Sequence, residues 1–212
     1  MVIGSAAAAL NIDDIEFWAG EGNNRSALVI DWHDGQTPEA LAWGYRWDGE
    51  ATGQDLLSSL VSADPRLYLV TTFGGRAVAG LGYDTVGGDF AVDPPIEFTD
   101  GTSDIFFVDD HRSAVEPGDR YQEGWSSGYW SYWLASGDTP TWSSSGVGFA
   151  DRTLAPNSWD GWSFSDTVDF QNPPPPPREA SAAVVPEPAT SVLLALGLAG
   201  LAGSRLRRPR RT

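Results

Sequence analysis

Between about residue 11 and residue 170, apolar and polar positions alternate over short runs, the period-two signature of strands that bury one face. Turn dipeptides punctuate these runs at Asp34-Gly35, Asp48-Gly49, Gly74-Gly75, Gly87-Gly88, Asp100-Gly101 and Asp160-Gly161. Ala27 to Trp32 reads as a buried strand, and Arg66 to Thr72 reads similarly. Trp43-Gly44-Tyr45-Arg46-Trp47 alternates strictly, which puts Trp43, Tyr45 and Trp47 on one face and Gly44 with Arg46 on the other. Tyr129-Trp130-Ser131-Tyr132-Trp133-Leu134 carries aromatics on both faces, as a central strand does. Trp159 to Phe164 is expected to pair beside it as the closing strand.

One segment changes period. Thr52 with Asp55 three residues on makes a capping-box start, and Leu56, Leu57, Leu60 and Val61 follow at helical spacing until Asp64-Pro65 ends the run. Strands, one helix laid across them and further strands predict an α+β, β-rich fold: a single β-grasp-like sheet with one covering helix.

The two ends break this pattern. Met1 to Leu10 looks like the end of a signal peptide whose basic n-region is missing, as a misplaced start would leave it. After Phe170, Gln171-Asn172 leads into five prolines, Pro173 to Pro177, which favour a polyproline II spacer of about 15 Å. The expected organisation is therefore a leader remnant at 1–10, a β-rich extracellular domain at 11–170, a Pro-rich linker at 171–184 and a tail at 185–212. In the tail, Pro186-Glu187-Pro188 precedes an apolar run from Ala189 to Gly203, and then come Arg205, Arg207, Arg208, Arg210 and Arg211. The run rises about 22 Å as a helix, short of a hydrocarbon layer of about 30 Å unless flanking residues join it. Its alanines and glycines make it a marginal transmembrane helix, and the arginines form a basic stop that stays cytoplasmic.

This three-part order resembles the PEP-CTERM sorting signal. The resemblance implies an exported protein, held transiently in the inner membrane, whose Pro186-Glu187-Pro188 motif is recognised by an exosortase-type processing enzyme that removes the anchor. A second resemblance covers roughly Ser26 to Phe170. Ala51 to Leu57, Gly80-Leu81-Gly82-Tyr83, the strand Tyr129 to Trp133 and Trp159 to Phe164 resemble the β-grasp domain related to the C-terminal part of transcobalamin. That likeness implies a corrinoid-like ligand. The chain has Ala135-Ser136-Gly137-Asp138 where the family strand is followed by an Asn-Gly turn, which loosens the inference about the ligand.

Charge narrows the partners. The chain has no lysine, and eight arginines stand against all 29 acids once the residues after Pro188 are set aside. Such a body repels phosphate backbones, so nucleic acid is not an expected partner. The absence of cysteine removes disulfides and thiolate metal sites.

Catalytic patterns are missing from the sequence: there is no cysteine nucleophile and no Gly-x-Ser-x-Gly elbow, and the bases are limited to His33 and His111. Asp109-Asp110-His111 and the group Asp31, His33, Asp34 hold potential ligand atoms, but neither has zinc or EF-hand spacing, and solvated loops are the better reading. The expectation is a protein without catalytic residues, metal or cofactor. Weak calcium binding by clustered acids stays open without a location. The ten Trp residues mostly fill a core, yet Trp43, Tyr45, Trp47, Tyr129, Trp130, Tyr132 and Trp133 are candidates for an aromatic platform that binds extracellular polysaccharide or a small ligand. A secreted glycan-active hydrolase is the remaining alternative, resting only on abundant Asp and Glu.

Overall fold

The computed structural model describes residues 10–106, 112–125, 128–167 and 175–185. After a short 3-10 turn at Ile12–Asp14 the chain forms β1 (Trp18–Gly20), β2 (Asn24–Asp31), β3 (Ala40–Trp47), α1 (Gly53–Ala63), β4 (Leu67–Thr72) and β5 (Ala77–Tyr83). It continues through β6 (Val92–Asp93), β7 (Thr102–Asp104), β8 (Ser113–Ala114), β9 (Arg120–Glu123), β10 (Tyr129–Ser136), β11 (Ser143–Ser144), β12 (Ser158–Ser165) and β13 (Ala180–Ala182). The fold is α+β and β-rich, with α1 the one α-helix among the described residues.

The single sheet expected from the strand pattern is corrected to two facing sheets and a small ribbon. The larger runs β1-β3-β2-β12-β10-β11, with β13 also paired to β3; the smaller runs β7-β4-β5-β9; β6 and β8 make the ribbon. Period-two alternation reports which residues share a face, and it is silent on which strands share a sheet. Nor is β12 a closing strand: it lies inside the larger sheet, parallel to β2 and antiparallel to β10. The outer side of β3 is shared by segments from opposite ends of the body, with β1 along Gly44 to Arg46 and β13 along Ala40 to Ala42.

Between the sheets lies one apolar core. Leu28 and Ile30 of β2, Trp43, Tyr45 and Trp47 of β3, and Trp162 and Phe164 of β12 meet Leu67, Leu69, Leu81 and Tyr83 of the smaller sheet, with Leu56, Leu57, Leu60 and Val61 of α1 filling the space. Trp43 is fully buried, meets Trp32 and Tyr83 edge to face with centroids 6.5 and 5.6 Å away, and donates its indole N–H to Asp64 at 3.0 Å. The start of α1 is as the capping residues predict: Asp55 N–H donates to Thr52 Oγ1 at 3.1 Å, and Thr52 N–H returns to Asp55 at 2.8 Å.

Each sheet also has a covered outer face. Ile12, Ile15 and Trp18 pack over Ala27, Val29, Ala42 and Trp159, while Phe90, Val92 and Tyr121 cover Val70 and Ala79. Asp160-Gly161, which reads as a turn in sequence, sits in the middle of β12. A Cβ at Gly161 would approach Trp142 and Pro177 to 2.8 Å, so the glycine serves close packing of those side chains and not chain reversal.

Among the described residues no helix is long and apolar enough to cross a membrane, and the expected transmembrane run at 189–203 lies outside them. So do residues 1–9 of the expected leader remnant.

Trp43→Ala is expected to destabilise the protein by about 3–5 kcal/mol through the cavity and the loss of the indole bond to Asp64. Thr52→Ala, which only uncaps α1, is expected to cost about 1 kcal/mol. Urea unfolding of the two variants beside the parent checks the ordering; equal midpoints would contradict it.

Candidate functional site

A dense polar arrangement sits at the C-terminal ends of the parallel strands β2 and β12, on the outer face of the larger sheet. Registered neighbours Asp31, Ser163 and Ser131 form a row across three strands. Asp31 is fully buried yet richly satisfied. It accepts His33 N–H at 3.0 Å, Arg178 N–H at 2.9 Å, Arg178 Nε at 2.8 Å and Arg178 Nη2 at 2.7 Å. Burial alone would raise the Asp31 carboxyl, but the Arg178 bonds and the neighbouring His33 outweigh it and hold the group below the ordinary carboxylate range.

His33 Nε2 lies 3.1 Å from Ser163 Oγ and 3.3 Å from Asp31, so serine, histidine and aspartate meet here. The order of a nucleophilic relay is nevertheless missing. In such a relay the two ring nitrogens divide the work, one toward the carboxylate and one toward the hydroxyl. Here the same nitrogen faces both groups, Ser163 is fully buried, and the aspartate is already neutralised by an arginine. The geometry is that of a charge-balanced docking site.

What docks is the chain itself. The Pro-rich segment expected to be a free stalk lies, over its described part, against the body. Pro177 packs on Gly161, β13 pairs in parallel with β3, and Ala183 is buried with its N–H on the Ala42 carbonyl at 2.8 Å. Arg178 extends a further bond to Glu39 at 2.9 Å. Arg66 donates to the Val184 carbonyl at 2.6 Å while clamped by Asp64 at 2.9 and 3.0 Å and lying over the Tyr83 ring. The sequence missed this strap because Ala-Ser-Ala-Ala has no apolar alternation of its own; the lone arginine after five prolines was its one signal.

The aromatic residues singled out in sequence divide by face. Trp43, Tyr45, Trp47 and Trp130 are buried, and Tyr132 is half-buried and packs on the same core. Alternation along β10 puts Tyr129 and Trp133 on the opposite face, both half-buried, with Trp133 Nε1 donating to Ser131 Oγ at 2.9 Å. No common platform joins the seven. A different pair is on the surface: Phe73, in the β4–β5 turn, and Trp125, just after β9, are 65% and 53% exposed with centroids 5.6 Å apart at 62°. Lone aromatics in turns carry no periodic signal, which is why sequence patterning passed over them.

A second buried acid lies deeper. Asp160 accepts a very short hydrogen bond from the Tyr132 hydroxyl and has Arg152 at 3.5 Å. Burial raises the Asp160 carboxyl, with Tyr132 and Arg152 opposing, and burial beside Asp160 raises the Tyr132 phenol. A cavity of about 450 Å³ opens near the strap, lined by Arg66, Tyr83, Asp84, Arg120, Ser181 and Val184 among others. The Arg120 guanidinium donates to the Pro38 and Glu39 carbonyls, and burial pushes the Tyr83 phenol up to about 12.

Among the described residues no three His, Asp or Glu side chains gather as metal ligands. Asp109, Asp110 and His111 lie outside those residues, as do Pro186, Glu187, Pro188 and the arginines from Arg205 to Arg211.

Arg178→Ala is expected to lower stability by about 3 kcal/mol or more, because it abandons a buried carboxylate. Arg76→Ala, which breaks the exposed pair with Asp151, should cost below about 1 kcal/mol. Since the docked Asp31 titrates below its ordinary value, strap docking is fully present above that value and is lost as pH falls through the shifted one. The protection of the Ala183 amide, its exchange rate compared with the intrinsic rate at the same pH, should drop only on that acid side; loss of protection near neutral pH would contradict the assignment.

Comparison with known proteins places the tail. No curated protein and no solved structure matches the chain, so nothing there supports the body's likeness to the transcobalamin domain. Residues 184–211 match the model of the PEP-CTERM protein-sorting motif, so the chain carries the signal for exosortase-type sorting of an exported protein to the cell envelope or beyond.

Proposed function

We propose that this chain is a non-catalytic protein of the cell envelope or extracellular matrix, whose β-rich body binds extracellular polysaccharide after release from a transient inner-membrane anchor. The observation that carries the reading is the sorting motif at residues 184–211, which addresses the body outside the cell. In this reading the apolar run 189–203 holds the chain in the inner membrane, the arginines after it stop transfer, and the processing enzyme acts at Pro186-Glu187-Pro188.

For the body, two observations support binding over catalysis. The serine, histidine and aspartate that meet at Asp31 lack relay order, and Asp160, whose carboxyl is raised, is enclosed by Tyr132, Arg152 and the start of α1. The exposed Phe73–Trp125 pair offers flat apolar faces to sugar rings. No observation favours the corrinoid reading, since most of the aromatics it would use are core residues.

Glu187→Gln is expected to leave uncleaved protein in the inner membrane, read as a heavier species in fractionated cells. Release equal to that of the parent contradicts the anchor reading. On a glycan array the released protein should retain polysaccharide, and Trp125→Ala or Phe73→Ala should each weaken it by about 0.5–1.5 kcal/mol. Full binding by both variants would move the surface elsewhere, and no binding by the parent would overturn the proposal.

A further inference from the structure

The body holds the residues that lead into its own sorting motif. Arg178 is fixed on Asp31 and Glu39, the Ala183 N–H is fixed on Ala42, and the Val184 carbonyl is fixed on Arg66. The motif match begins at Val184, so the last docked residue and the first matched residue coincide.

We propose that the docked strap is a latch on tail processing, and that the processing enzyme cuts the chain only when the strap has peeled from β3. This inference rests on the sorting reading of the tail. Its physical basis is reach. Pro186 follows Val184 by two residues, at most about 7 Å of chain, and Ala189 follows by five, at most about 18 Å. A folded body docked that closely occupies the space that an enzyme at the membrane surface needs around an extended substrate. Freeing the chain from Arg178 onward adds six residues, about 20 Å, and also frees Val184 and Val185 for recognition.

The latch is built to be specific and reversible. Most of its polar bonds converge on one arginine, and its backbone contribution is a three-residue parallel strand. The remaining anchor, Arg66, is held by Asp64 through two bonds that do not involve Val184, which makes it a preformed receptor for that carbonyl. After tail removal the same contacts keep the new C-terminal end folded onto the body.

Pulse-chase labelling in cells that contain the processing enzyme tests this. Ala183→Pro, which removes the N–H given to Ala42, and Arg178→Ala should each be cleaved several-fold faster than the parent. The complementary variant joins registered neighbours through Ala42→Cys with Ala182→Cys; oxidised, it should remain uncleaved, and reductant should restore cleavage. A cleavage rate for the oxidised pair equal to the parent's, or no acceleration in either peeling variant, overturns the latch. Glu187→Gln separates the two readings: if it is cleaved normally the sorting assignment of the motif fails, whereas blocked Glu187→Gln with unresponsive strap variants removes the latch alone.

Discussion

Ahead of Ala189 the chain has eight arginines and 29 acids, so it can neutralise only a few of its carboxylates, and the fold is organised by which ones it takes out of water. Asp31, Asp64, Glu123 and Asp160 are buried, and each has its own arginine: Arg178, Arg66, Arg112 and Arg152. Two further buried acids use backbone instead, with Asp84 accepting from Gly87 and Gly88, and Asp119 from Thr85 and Val86. A buried carboxylate without such partners is costly enough to unfold a small domain. The remaining arginines are committed as well, Arg25 to Asp13, Arg76 to Asp151, Arg120 to Asp34, and Arg46 over the Trp18 ring. Among the described residues the surface charge is therefore left predominantly acidic.

This allocation links fold to function. Asp64 caps the end of α1, receives the Trp43 indole from the core and orients Arg66, whose free edge takes the Val184 carbonyl. Asp31 does the corresponding work at the other end of the strap. The core and the tail attachment thus share the same buried charges, and a change at either propagates to the other through contacts that are direct.

Local chemistry was legible in the sequence and long-range pairing was not. The capping box at Thr52 and Asp55, the alternation of Trp43, Tyr45 and Trp47, and the motif around Glu187 are signals written within a few residues. The division into two sheets depends on partners far apart in the chain, such as Trp159 beside Ala27, which no local period encodes. The same holds for the Asp31 site: Arg178 and Asp31 are 147 positions apart, and each alone reads as a solvated charge. Asp160-Gly161 misled because the dipeptide common in turns was present for packing against Trp142 and Pro177.

The arrangement along β3 bears on how the protein behaves when crowded. Trp18–Gly20 and Ala180–Ala182 divide one side of that strand between them, and the far side of the sheet finishes in the two-residue β11. Unpaired ladder groups on a long strand invite neighbouring molecules to add on, and ultimately to aggregate. Closing the ladder with short pieces of its own backbone leaves a neighbouring molecule only short stretches of edge to extend.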